Sequence, residues 1–252
     1  ALTAIVNTLL VQKKQEKALA RLNDILKESP KHPFVNELLA EVYASQKKYD
    51  QAEVFLRKAI EANPVWNVPY RNLSNLYLGL GKKDDGVRIL EEGLRVLPDN
   101  TELLLLLAGA QEHKKEFDKA IATYERVLKK NSMDQLAANN LASLLADHKG
   151  DTASLKRAKE LALPLESSPQ PAFRDTLGWV YYKSSEVDKA IALLEEVVKQ
   201  APSVPVFQYH LGMAYFKQGN TATAKIHLAK ALDGKSNFPG AEDARATLKQ
   251  IP

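Results

Sequence analysis

An all-α chain of stacked repeats is the fold class this sequence predicts, and three observations predict it. The first is a period. Ala18, Ala52, Gly86 and Ala120 stand 34 residues apart in similar phrases, and Ala190 and Ala224 repeat the interval. The second is a Leu followed by a small residue, which recurs ahead of the later members at Leu39-Ala40, Leu73-Ser74, Leu107-Ala108, Leu141-Ala142, Leu177-Gly178 and Leu211-Gly212. The third is composition: 45% hydrophobic and 26% charged residues over 252 positions supply an extended core and exclude a disordered chain. A period of this size marks units that cannot bury their apolar faces alone and must stack on their neighbours.

The first unit carries QEKALARLNDIL around Ala18 and closes at Pro30; the second carries YDQAEVFLRKAI and closes at Pro64. The third closes at Pro98 and holds Gly86 and Gly93 where alanine is usual. Glycine inside a helix costs about 1 kcal/mol against alanine. That helix is therefore expected to be the softest, and Gly86→Ala and Gly93→Ala are each expected to raise the melting temperature. The fourth unit carries FDKAIATYERVL. The fifth is irregular, because ADHKGDTASLKRA places Ala158 four residues late and Pro164 falls late in the second helix. A longer turn around 147–155 and a shortened second helix are expected there. The sixth carries VDKAIALLEEVV and closes at Pro202, and the seventh carries NTATAKIHLAKAL. Beyond it, FPGAEDARATLKQIP sets Ala241, Ala244, Leu248 and Ile251 on one helical face, the pattern of a capping helix. At the other end ALTAIVNTLLVQ lacks a basic lead-in and is broken by Thr3, Asn7 and Thr8, so it reads as a helix and not as a secretion signal. It starts about two residues into that helix, by the register of the repeats, which is expected of the C-terminal part of a longer protein.

Tyr43, Tyr77, Tyr181 and Tyr215 each follow a Leu-small pair by three places. Leu-small-x2-Tyr, then Ala, then Pro resembles the tetratricopeptide repeat, whose pattern is W-x2-L-G-x2-Y, A-x3-F and P. The resemblance covers essentially the whole chain. It implies a right-handed superhelical solenoid of seven antiparallel helix pairs, over 1–32, 33–66, 67–100, 101–134, 135–170, 171–204 and 205–238, with a capping helix at 239–252. The motif's leading Trp is absent; Asn36, Tyr70, Leu104, Ala138, Arg174 and Gln208 fill its slot.

Little in the sequence points to catalysis. With no cysteine there is no disulfide, thiolate or cysteine-bound zinc, and the five histidines show no metal-ligand spacing, so neither a metal nor a cofactor is expected. GLGKKDDG has a Gly-Lys, but Lys83 stands where a phosphate loop needs Ser or Thr. No Gly-x-Ser-x-Gly elbow or isolated carboxylate pair occurs. Asn72-Leu73-Ser74 matches a glycosylation acceptor but falls mid-helix with Leu73 in the core. No run of eighteen apolar residues supplies a transmembrane helix. The net charge of +4 is spread among acidic residues and does not indicate nucleic acid.

A partner is expected on the first helices of the pairs, which in stacked helix pairs line the concave surface. Residues opposite the Leu and Tyr of each first helix form a stripe at i, i+4 and i+7. In the sixth unit these are Asp175, Trp179 and Tyr182, and in the seventh Tyr209, Met213 and Phe216. The stripe continues backwards through Asn139, Ser143 and Ala146, then Leu105, Gly109 and Glu112, then Arg71, Asn75 and Leu78, then Glu37, Glu41 and Ala44. It runs from polar to aromatic. Trp179, two residues after Leu177 and about 200° around the helix from it, is expected to point into the groove as an anchor. The competing reading has these aromatics packing sideways on adjacent first helices or against a second copy. Arg71 and Asn75 resemble the start of the clamp with which some tetratricopeptide repeats hold acidic chaperone tails, but Leu106, Leu136 and Asn140 stand where the rest is needed.

The expected function is a non-catalytic scaffold that holds a protein or peptide. DTLGW and YHLGMAYF are similar to phrases of bacterial tetratricopeptide lipoproteins of exopolysaccharide export and PEP-CTERM systems, which implies a periplasmic or outer-membrane-associated setting. The alternatives are a cytoplasmic adaptor, a self-associating module and a helical repeat that binds single-stranded RNA. Against the last, the stripe offers Arg71 as its one clear cation.

Overall fold

A computed structural model describes residues 2–233 and 238–251, and every described regular element is helical. The chain divides into two compact units, 1–130 and 131–252. The N-terminal unit holds four helix pairs: α1 (Leu2–Val11) with α2 (Gln15–Glu28), α3 (Pro33–Ser45) with α4 (Tyr49–Ala62), α5 (Asn67–Gly79) with α6 (Lys83–Val96), and α7 (Thr101–His113) with α8 (Phe117–Lys130). The C-terminal unit pairs α9 (Gln135–Leu144) with α10 (Thr152–Ala162), α11 (Pro171–Lys183) with α12 (Val187–Gln200), and α13 (Pro205–Gln218) with α14 (Thr221–Ala231). Helix α15 (Ala241–Gln250) packs on both α13 and α14.

Local chemistry sets the starts and turns. Proline opens α3, α11 and α13, where a missing N–H costs nothing. The side chains of Asn100, Asp134 and Asp151 accept hydrogen bonds from the first-turn N–H groups of α7, α9 and α10. Within each pair the turn passes through one residue in the left-handed region: Lys13, Lys47, Gly81, Lys115, Gly150, Ser185 and Gly219. The spacing of these turns is the repeat period made visible in the backbone, and the added residues fall around Gly150.

The slots read from the sequence form the core. Ala18, Ala52, Ala120, Ala158, Ala190 and Ala224 are fully buried, as are Leu39, Leu73, Leu141 and Leu177. Two residues in the slot of the missing Trp reach back to the same place: the Tyr70 hydroxyl donates to the Pro64 carbonyl at 3.2 Å, and Gln208 Nε2 donates to that of Pro202 at 2.7 Å. Each ties its first helix to the proline that closes the preceding pair.

One expectation is corrected and a second meets a packing constraint. In the fifth pair the extra residues do not make a longer turn. They extend α9 as a π-helical turn, Leu145–Lys149, after which Gly150 and Asp151 lead directly into α10. The second helix is short, as expected, and ends in a 3-10 turn at Leu163–Leu165 around Pro164. Gly86 and Gly93 stand at points of close approach, which bears on the expected gain from alanine there. A Cβ on Gly93 would lie 2.9 Å from both Leu103 Cδ1 and Tyr70 Cγ, and one on Gly86 would lie 2.8 Å from Leu78 Cγ. The glycines permit close packing, and an added methyl at Gly93 meets two buried side chains.

Candidate functional site

The stripe residues do share faces of the first helices, and each unit has a cleft there. In the N-terminal unit a cleft of about 400 Å³ runs between α3 and α5, lined by Glu37, Glu41, Ala44, Arg71, Asn72 and Asn75. Asn72 Nδ2 donates to Glu37 Oε1 at 2.8 Å, and Arg71 pairs with Glu102 at 2.8 Å while donating to Asn72 Oδ1 at 3.1 Å. Arg71 is thus already engaged, whereas Asn75 is exposed. Burial raises the carboxyl pKa of Glu37, helped by the nearby charge of Glu41, and burial raises that of Glu41 as well.

In the C-terminal unit a cleft of about 460 Å³ is lined from α9 by Asn139 and Ser143, from the π turn by Asp147 and His148, and from α11 by Asp175, Trp179 and Lys183. Tyr209 and His210 of α13 and the Pro239-Gly240 entry to α15 complete it. The expectation that its aromatics stand open in a groove is corrected. Trp179 is 5% exposed. Its ring lies in a stack with Tyr182 (centroids 4.5 Å apart) and His210 (4.1 Å), and its Nε1–H donates to Asp147 Oδ1 at 2.7 Å. Tyr209 and Met213 are buried too, because α15 covers them: the Tyr209 hydroxyl donates to Asp243 Oδ2 at 2.7 Å, and Thr247 Oγ1 approaches Met213 Sδ at 3.5 Å. Burial and the Asp243 carboxylate hold the Tyr209 phenol neutral far above its usual range. Phe216 and Tyr182 are half-buried at the edge of this cluster. Packing of Trp179 on Tyr182 of its own helix and His210 of α13, and the cover of α15 over Tyr209 and Met213, bury the aromatic end of the stripe.

Asp175 is the exception within the packed set. It is 5% exposed, and its Oδ2 accepts from His210 Nδ1 at 2.8 Å, but its Oδ1 has no partner. Asn139 gives Nδ2 to Asn140 Oδ1 at 3.0 Å and leaves its own Oδ1 without a partner. Asp147 also takes Lys183 Nζ at 3.4 Å, and that ammonium sits 5.1 Å from the centre of the Trp179 ring.

Asp147, Lys183 and His210 were not singled out by the sequence. The signal for Asp147 was present, since Asn139, Ser143 and Asp147 are four apart and continue one helical stripe. A turn over 147–155 would end that stripe, whereas the π turn at Leu145–Lys149 carries it on to Asp147. The histidine spacing gives no signal for the Asp175 contact of His210, and no group of three metal-ligating side chains occurs among the described residues. No described helix is long and apolar enough to cross a membrane.

Models of the tetratricopeptide repeat match residues 9–76, 71–132, 116–154 and 176–248. Anaphase-promoting complex subunit 3 of Schizosaccharomyces pombe is 22% identical over 234 residues, 92% of this chain and 30% of that protein. Cellulose synthase operon protein C of Pseudomonas fluorescens is 23% identical over 237 residues, 82% of this chain and 18% of that protein. The chain thus spans less than a third of either relative. A tetratricopeptide repeat protein from Parabacteroides merdae has a similar solved structure, with a TM-score of 0.63 at 16% identity over 99% of this chain and 97% of that one.

Proposed function

We propose that this chain, which belongs to the tetratricopeptide-repeat family, is a non-catalytic scaffold that takes an extended segment of a partner protein along the faces of its first helices. One observation carries the reading. Each unit opens a cleft at the stripe positions, of about 400 Å³ in one and 460 Å³ in the other, a size suited to a few side chains of a bound segment. The cation placement disfavours the RNA reading, since Arg71 is held by Glu102 and Lys183 by Asp147, leaving no phosphate track along the stripe.

The setting we propose is bacterial envelope or exopolysaccharide assembly. It is supported by the DTLGW and YHLGMAYF phrases and by the likeness to the cellulose synthase operon protein. The test of the scaffold reading is to pan a displayed library of random peptides on the purified chain. Enriched peptides that bind in solution, and lose binding when Asn75→Arg or Asn139→Arg blocks a cleft, support it. A library that yields no binder overturns it.

A further inference from the structure

We infer that the cleft of the C-terminal unit is a pocket for a basic side chain, guanidinium or ammonium, of the bound segment. The inference deepens the scaffold reading and rests on it. Asp175 is buried by α11 and α13, with one oxygen bound to His210 and the other without a donor. A buried carboxylate oxygen left unpaired is costly; this one is itself shielded from solvent, so a donor entering the cleft gains it by a small shift of the Asp175 side chain.

The second orphan in this cleft is also an acceptor, the side-chain oxygen of Asn139. Both unmet needs are for N–H or O–H groups, and neither orphan is a donor. The formal charge agrees. Asp147 and Asp175 line the cleft against the single ammonium of Lys183, so an incoming cation is attracted and an incoming carboxylate is repelled. Lys183 also shows that the mouth tolerates an ammonium, between Asp147 and the Trp179 ring. Tyr182 and His210 stack on Trp179 and the Lys183 ammonium lies over the same ring, so recognition comes from the oxygens and not from stacking on the indole. Trp179 acts as a positioning residue: it packs on His210, which holds one oxygen of Asp175, and so orients the other.

The chain has two tryptophans, so its indole N–H spectrum offers two signals, assigned with Trp66→Phe. The intact 252-residue chain is titrated with the capped tripeptides acetyl-Gly-Arg-Gly-amide and acetyl-Gly-Lys-Gly-amide, and with their citrulline and glutamate counterparts. The arginyl or lysyl peptide is expected to shift the Trp179 signal saturably, while the neutral and acidic ones do not. Asp175→Asn is expected to weaken that binding about tenfold. Should Asp175→Asn fail to fold, Asn139→Arg, which places a cation of the chain's own at the cleft, is expected to block it. Equal shifts from the citrulline peptide, no saturable shift from any peptide, or undiminished binding in the folded variants overturns the inference. Library binders without basic residues would likewise overturn the pocket while leaving the scaffold standing, whereas a library that yields nothing removes the scaffold reading itself.

Discussion

In the N-terminal unit the cleft is edged by Glu37, Glu41, Arg71, Asn72 and Asn75, with Asn72 bonded to both Glu37 and Arg71, Arg71 paired with Glu102, and no aromatic ring among its lining residues. In the C-terminal unit the same register of the first helices carries Asp175 and Trp179 beside Tyr209 of α13, packed behind the cleft and closed from one end by the start of α15. Equivalent positions thus serve two purposes. Where small and polar side chains fill the stripe, its polar groups bond to one another through Asn72 and leave Asn75 exposed. Where rings fill it, they pack against one another and leave unmet acceptors beside the cleft. A large aromatic on the stripe is therefore a sign of closure as much as of binding.

The largest effect should come from the ring stack. Trp179→Ala is expected to cost about 3–5 kcal/mol in urea unfolding followed by circular dichroism, whereas Asn75→Ala on the exposed N-terminal stripe should stay within about 0.5 kcal/mol. A cost for Trp179→Ala no larger than for Asn75→Ala would break the contrast and restore the tryptophan as an open anchor.

Next comes the closure by α15. Gly240 has φ of +99°, and a Cβ there would lie 2.4 Å from the Tyr209 ring. Gly240→Ala combines backbone strain with a clash and is expected to cost about 2 kcal/mol. It should also increase the exposure of Tyr209, read by the solvent accessibility of its ring signals. Unchanged stability and exposure would mean that α15 does not close this end.

In the N-terminal unit, Gly93→Ala is expected to lower stability by about 1 kcal/mol, the crowding of Tyr70 and Leu103 outweighing the helix-propensity gain. Gly86→Ala meets only the half-buried Leu78 side chain and the Ser74 carbonyl, and should fall near zero. Thermal melts that rise for both would reinstate the expectation drawn from propensity alone.

The smallest effect is electrostatic. Burial, then the charge of Glu41, raises the Glu37 carboxyl above its unfolded value. A raised folded pKa means that the folded state holds the proton more tightly. The associated stability is fully present below the unfolded pKa and is lost as pH rises through the folded one. Glu37→Gln should therefore stabilise the chain at pH 7 by about 0.5 kcal/mol or less, with the advantage vanishing on acidification below the ordinary glutamate range. An advantage that grows on acidification would reverse the assigned sign.

Much of this was legible in the chain. The alanine and Leu-small slots, the shortened α10 and the capping face around Ala241, Ala244 and Ile251 all follow from spacing, because each depends on side chains a few residues apart on one helix. The shared faces of Arg71 with Asn75 and of Asp175 with Trp179 follow from the same rule. What spacing could not show was what lies across the gap. That Asp147 meets Trp179 and Lys183, and that His210 takes one oxygen of Asp175 and leaves the other without a donor, depends on elements far apart in the chain.

Periodicity assigns a residue to a face of its own helix, since that is a local matter of 3.6 residues per turn. Whether the face is open or covered depends on the size and reach of side chains some 34 residues away. The sequence by itself therefore determined the repeat, the helices and the inward slots. Only the tertiary structure decided that His210 of α13 closes over Trp179, that Gly93 is a point of close approach, and that one carboxylate oxygen was left waiting for a donor.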